Sequence, residues 1–248
     1  MTNDESFNFT IPRQPERKRV SQEEAERSLL EKLEKVGPND ETILQDLAFF
    51  YFITDREQTA RMYFDRLIEN TDDPEKRAGY YVNMGGSMIR QENFDLAIYF
   101  YSQAFSLEPE NTTTWCLINN NLGFCLNQVG RFAEAEDYCR SAIKIDPECH
   151  HAYKNLGVAL AGLGQYVEAA RNFIEAARAD TTAILSMKLL DQLIVEHPEI
   201  VGELPDLEKV GDGNEAALQG LAYYYGQTGH QQMALKYLER LVANTDDP

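Results

Sequence analysis

The stretch "INNNLGFCLNQVGRFAEAEDYCRSAIKIDP", residues 118–147, has a counterpart on each side of it. "YVNMGGSMIRQENFDLAIYFYSQAFSLEP" precedes it at 81–109, and "YKNLGVALAGLGQYVEAARNFIEAARADT" follows at 153–181. Aligned on Gly85, Gly123 and Gly157, the segments place Ala97, Ala135 and Ala169 twelve residues later. Tyr101, Cys139 and Phe173 come four further on, then Ala104, Ala142 and Ala176 after another three. Pro109 and Pro147 close the first two segments, while Thr181 stands at that point in the third.

This spacing has a direct physical reading. Each segment holds two amphipathic stretches of about 13 residues, separated by a polar or glycine-containing turn near Glu92, Gly130 and Gly164. Small residues fall where two helices must approach closely, and a large residue one turn away fills the space beside each contact. Proline ends the unit because it cannot continue a helix.

The pattern resembles that of the tetratricopeptide repeat family, a 34-residue unit with Leu-Gly, Ala, an aromatic, Ala and Pro at these intervals. Gly157 follows Gly123 by 34 residues, but Gly123 follows Gly85 by 38. The four extra residues lie in "ENTTTWCLINNNLG" and add about one helical turn. They lengthen the first helix of that unit and put Trp115 one turn ahead of the usual aromatic position.

A longer period encloses the short one. "LEKVGPNDETILQDLAFFY" from 33 matches "LEKVGDGNEAALQGLAYYY" from 207, and the match runs on to "NTDDP" at 70–74 and again at 244–248. This is an internal duplication. Leu47, Tyr51, Ala60 and Phe64 keep the family spacing without the glycine, and Leu221, Tyr225, Ala234 and Leu238 are their duplicates. The expected organisation is a polar arm over 1–20 and a helix within 21–40. Four units follow over 41–181 (41–74, 78–111, 112–149 and 150–183, approximately), then a degenerate helical unit over 182–213 and a last unit over 214–248. Ser21 and Glu24 form a capping-box signature for the first helix, which runs to about Val36. In the degenerate unit, "AILSMKLLDQLIVEH" reads as a helix, but "PEIVGELPDLEKVGDG" has too much Pro and Gly for a full partner. "NTDDP" is the joint between repeats. A chain ending on a joint is expected to be a piece of a longer protein, with Met233, Tyr237 and Leu241 on one face of an uncapped last helix.

Composition agrees with an all-α protein. Hydrophobic residues are 43% of the chain, and 15 Gly and 9 Pro are too few for many β-turns. The formal charge of −18 argues against nucleic-acid binding, which needs clustered Lys and Arg. The basic cluster Arg13, Arg17, Lys18 and Arg19 reads as part of a disordered tail. No apolar run approaches the ~20 residues of a membrane helix, and the polar start "MTNDESFNFT" lacks a secretory pattern. The expected location is therefore the cytoplasm.

Catalytic constellations are not evident. The cysteines Cys116, Cys125, Cys139 and Cys149 contain no CxxC pair, which fits neither a disulfide scaffold nor a zinc site. "CHH" at 149–151 reads as a polar helix start, since neighbours on a helix point about 100° apart. "GVALAGLG" at 157–164 places its glycines on the packing and turn positions rather than on a phosphate loop. No cofactor, no metal and no enzymatic activity are expected.

What remains is surface. The resemblance implies a right-handed superhelical solenoid of stacked antiparallel helix pairs, whose concave groove, lined by first helices, holds an extended protein or peptide segment. Asn83, Asn121 and Asn155 each stand two residues before a key glycine. They resemble the asparagine ladder with which superhelical members of the family hold peptide amides, an Asn offering both donor and acceptor. Arg90, Asn120, Phe124, Asn127, His151 and Lys154 share that face, and Arg90 and Lys154 could receive a carboxylate. The family's clamp for acidic C-termini is not reproduced. A non-catalytic interaction scaffold is the reading. Its rivals are self-assembly into a homo-oligomer through the uncapped C-terminal repeat, and a regulatory arm of a larger protein. Aromatic runs at 49–52, 99–101 and 223–225 are expected to be core, with one ring of each facing out.

Overall fold

The structure is a computed structural model that describes residues 21–179, 184–204, 215–227 and 229–245. The polar arm 1–20, Thr181, the segment 205–213 and the final 246–248 lie outside the described residues. Among the described residues every regular element is helical. The chain divides into two compact units, Met1–Asn70 and Thr71–Pro248.

The first unit contains α1 (Gln22–Val36), α2 (Glu41–Ile53) and α3 (Glu57–Glu69). Ser21 and Glu24 form the reciprocal capping box, at 3.1 Å in both directions, satisfying two N–H groups that a helix start leaves unpaired. Asp40 caps α2 through the Ile43 N–H at 3.0 Å. The α2 helix packs on both α1 and α3 and buries Leu44, Leu47, Ala48, Phe50, Tyr51 and Phe52.

The second unit is a run of helix pairs: α4 (Pro74–Arg90) with α5 (Phe94–Ser106), α6 (Thr112–Gln128) with α7 (Phe132–Ile145), and α8 (His150–Gly162) with α9 (Tyr166–Ala179). Then come α10 (Ile184–Glu196), a single 3-10 helix at Pro198–Glu203, α11 (Glu215–Gln227) and α12 (Gln231–Thr245). Each α-helix of this unit packs on the next α-helix along the chain. The Pro198 segment therefore supplies a short 3-10 helix where a full second helix would otherwise stand.

Helix pairs are joined by tight turns in which one residue is left-handed. Those residues are Asp55, Glu92, Gly130, Gly164 and Gly229, with φ of 57°, 58°, 76°, 77° and 80°. Two of the five are not glycine, although a side chain disfavours this conformation.

The key glycines are small because of what faces them. A Cβ on Gly85 would lie 2.7 Å from the Tyr101 ring, on Gly123 2.4 Å from Cys139 Sγ, and on Gly157 2.5 Å from the Phe173 ring. The large residue sixteen positions on thus lies directly against the glycine, and Ala97, Ala135, Ala169, Ala104, Ala142 and Ala176 are fully buried around the same contacts. The extra turn lies at the start of α6, which has 17 residues against 13 in α8. Trp115 stacks on Phe105 there, with centroids 4.6 Å apart. Asn119 takes the aromatic's usual place, buried and donating to the Trp115 carbonyl at 2.8 Å.

The aromatic runs are mostly buried. Tyr99 (43% exposed) and Tyr223 (71%) face outward. One expectation needs correction. Met233, Tyr237 and Leu241 share a face of α12, but that face packs onto the core rather than lying open. The exposed apolar stripe is Leu235, Leu238 and Val242, at 56%, 47% and 58% exposure. Leu238, the duplicate of the buried Phe64, is exposed, while its neighbour Tyr237 is buried and donates to the Asp191 carboxylate.

Candidate peptide-binding face

The first helices α6 and α8 pack on each other, and α4 touches α6. These helices carry the residues singled out from the sequence, in three different environments. Asn83 is exposed, and its carbonyl accepts from Ser87 Oγ at 2.9 Å. Arg90, also exposed, donates to the Ser87 hydroxyl at 2.9 Å. Phe124 is half-buried and meets Phe94 edge-on at 6.0 Å. At the start of α8, His151 is exposed and Lys154 half-buried.

The remaining amides form a continuous chain across helices. Asn121 Nδ2 donates to the Tyr101 hydroxyl at 2.9 Å, and Asn120 Nδ2 donates to Asn121 Oδ1 at 3.1 Å. Asn155 Nδ2 donates to Asn120 Oδ1 at 3.0 Å, and Asn127 Nδ2 donates to the Asn155 carbonyl at 2.7 Å. Asn155 is 4% exposed and Asn127 7%. Such a network ties α5, α6 and α8 together, since a buried amide without partners is costly. One acceptor, Asn127 Oδ1, has no partner. Burial first of all pushes the Tyr101 phenol above its ordinary pKa, so it stays neutral and serves as the acceptor for Asn121.

The three-rung ladder is thus split. Asn83 faces solvent, Asn121 is half-buried, and Asn155 is an interhelical fastener. The reason is the neighbouring helix: α8 has α6 against it, so Asn155 finds Asn120 there. Tyr101 belongs to the same network, although its spacing in the sequence marks it only as the residue opposite Gly85.

A second cluster lies nearby. Cys116 on α6, Asp146 at the end of α7 and Cys149 at the start of α8 bring two sulfurs and a carboxylate oxygen within 4.8 Å of one another. They line a cavity of about 370 Å³ together with Thr112, Asn120 and His151. Burial, and then the adjoining Cys149, hold the Cys116 thiol above its ordinary pKa. Separation of 30 and more residues in the chain hides this cluster from a reading of spacing. Cys125 and Cys139, fully buried and pushed up to about 12 by burial, are core thiols.

A family profile described as tetratricopeptide repeat matches residues 116–182, the segment holding α7, α8, α9 and nearly all of α6. Over that segment the chain carries tetratricopeptide repeats. It is 28% identical over 116 residues to heat shock protein STI1 of Saccharomyces cerevisiae, covering 47% of this chain and 19% of that one. It is 31% identical over 93 residues to the peroxisomal targeting signal receptor of Candida albicans, covering 38% and 15%. The chain therefore spans a fifth or less of the length of these relatives. Among solved structures, the type IV pilus biogenesis factor PilW shares the fold, with a TM-score of 0.52 at 18% identity over 88% of this chain and 90% of the other. Among the described residues no helix is long and apolar enough to cross a membrane.

Proposed function

We propose that this chain is a non-catalytic scaffold that holds an extended segment of a partner protein on the face of α4, α6 and α8. The observation that carries this reading is a charge contrast. The whole chain has 41 acidic residues against 23 Lys and Arg. The face contributes Asn83, Gly86, Arg90, Asn121, Phe124, Gln128, His151, Lys154 and Val158, accessible in whole or part, without a carboxylate among them. Arg90 and Lys154 suit a carboxylate-bearing segment, and Asn83 and Asn121 suit its backbone amides. The buried amide chain behind them keeps α6 and α8 in register, so the face is pre-organised and binding orders little of the protein. One relative to which the chain is similar is, by its name, a receptor for a peroxisomal targeting signal.

The test is selection from a displayed library of random peptides, followed by fluorescence anisotropy on the selected peptides. Replacing Arg90 and Lys154 by Ala together should weaken binding at least about tenfold, the scale of a lost charge-assisted contact, with helical circular dichroism unchanged. Unchanged affinity, or a library that yields no binder, overturns the proposal.

A second reading, self-association, is favoured by the outward stripe Leu235, Leu238 and Val242 with Tyr223 nearby in sequence on α11. Exposed apolar patches mark interaction surfaces. Light scattering after size exclusion on the chain and on Leu238→Lys decides it. A dimer that dissociates in the variant supports self-association, and a monomer in both removes it.

A further inference from the structure

The cluster at the α6–α8 junction carries chemistry that the scaffold reading leaves unused. Asp146 ends α7 in an extended conformation, and its carboxylate accepts the Glu148 N–H at 3.0 Å. The Cys149 N–H donates to the Asp146 carbonyl at 3.1 Å, closing the turn that begins α8. Asp146 and Cys149 are therefore two ligand-type residues separated by two others on one rigid turn, the spacing with which metal-binding turns present a ligand pair. Cys116 comes from the opposite side, just after the additional first turn of α6, with Sγ toward the Ala142 carbonyl at 3.7 Å.

We propose that Cys116, Asp146 and Cys149 bind a soft divalent cation of the zinc type, with a fourth position on the cavity side. The donor set argues for this class. Two sulfurs and one carboxylate select zinc-like ions over magnesium or calcium, which take oxygen ligands. The dimensions fit as well. Zinc with sulfur at about 2.3 Å places its tetrahedral ligands about 3.8 Å apart, so donor atoms already within 4.8 Å need to close by no more than about an ångström. The cavity leaves room for water in the fourth position, and His151 lines the same space. Binding converts each ligating thiol to a thiolate and releases its proton to solvent, with no change of oxidation state. The cation also cancels the repulsion between two adjoining thiolates, and it fastens α6 to the α7–α8 turn beside Asn120 of the buried amide chain.

The test uses the full chain, reduced, titrated with cobalt(II) as a spectroscopic probe and then with zinc. One equivalent should produce sulfur-to-cobalt charge-transfer absorption that zinc displaces, and zinc should raise the melting temperature. Cys149→Ser, which supplies a good N-cap at the same position, should abolish the absorption while circular dichroism stays helical. Asp146→Asn should weaken binding at least about tenfold, since even outer partners of metal ligands are worth 10–100-fold. Cys125→Ala should change neither. Absence of the absorption with excess cobalt, or its survival in Cys149→Ser, overturns the site. So does a Cys116–Cys149 disulfide in the chain isolated without reductant, when that chain takes up no cobalt after reduction.

Discussion

The two copies of the duplicated segment keep the same pair of stacked tyrosines but hold them with different acids. In the first, the Tyr51 and Tyr63 rings lie 5.4 Å apart at an interplanar angle of 4°. In the second, Tyr225 and Tyr237 lie 5.8 Å apart at the same angle. Tyr51 donates to Glu26 of α1 at 2.7 Å, and Arg56 completes the group, paired with Glu26 at 2.8 Å and lying 4.5 Å from the centre of the Tyr51 ring. In the second copy the residues matching α1 fall on the 3-10 helix and the segment after it. The acid is instead Asp191 of α10, which accepts from Tyr225 at 3.2 Å, from Tyr237, and from Lys236 at 3.3 Å. A buried phenol needs an acceptor, and two unrelated helices supply one. The lesson is that the duplicated helix pair carries a requirement, and the preceding helix meets it with whatever carboxylate it has.

The acids should differ most in what they contribute. Asp191 is 6% exposed, whereas Glu26 keeps 27% of its side chain in solvent. Asp191→Ala should therefore cost about 3 kcal/mol, because it strands two buried hydroxyls. Glu26→Ala should cost about 1 kcal/mol or less, water replacing the lost partner. Urea unfolding of both variants measures this, and equal losses would break the comparison.

The glycine position separates the copies from the repeats between them. Ala48 and Ala222 already stand where the middle repeats have Gly85, Gly123 and Gly157, and both are buried. Gly157→Ala should cost about 2 kcal/mol by overpacking, since its Cβ would also lie 3.1 Å from the Ala169 carbonyl oxygen. The reverse change, Ala48→Gly, should cost about 1 kcal/mol through helix propensity alone. Thermal melting of the two variants orders them.

The turns give a smaller effect of opposite sign in the two copies. Asp55 and Gly229 hold corresponding left-handed positions. Asp55→Gly should stabilise by about 0.5–1 kcal/mol, and Gly229→Asp should destabilise by a similar amount. Shifts of the same sign in the urea midpoint would mean that the turn conformation is not the controlling term.

The smallest effect is in pH. Hydrogen bonds from Tyr51, then Arg56, hold the Glu26 carboxyl below its ordinary pKa. Its contribution is complete above the unfolded carboxylate value of about 4.3 and disappears as pH falls through the lower folded value. In acid titrations followed by amide exchange of α1 and α2, wild type should lose more protection below that pH than Glu26→Gln. Identical profiles would remove Glu26 from the account.

Much of this protein is decided within each repeat. The helix pairs, the turn residues, the capping box at Ser21 and the glycine facing its large partner all depend on distances of up to sixteen residues along the chain, which regular helices convert directly into geometry. The additional turn of α6 was legible for the same reason. The candidate site was legible only as a face: Asn83, Arg90, Phe124, His151 and Lys154 could be placed on it, but not the depth of each side chain. Asn155 pairs with Asn120, Cys116 meets Asp146 and Cys149, and Asp191 receives Tyr225 and Tyr237 across 30 to 46 residues. Which amide is buried, which thiols converge and which acid completes a tyrosine pair depend on how one helix is rotated and seated against another. Repeat spacing leaves that rotation open, and packing of the assembled helices closes it.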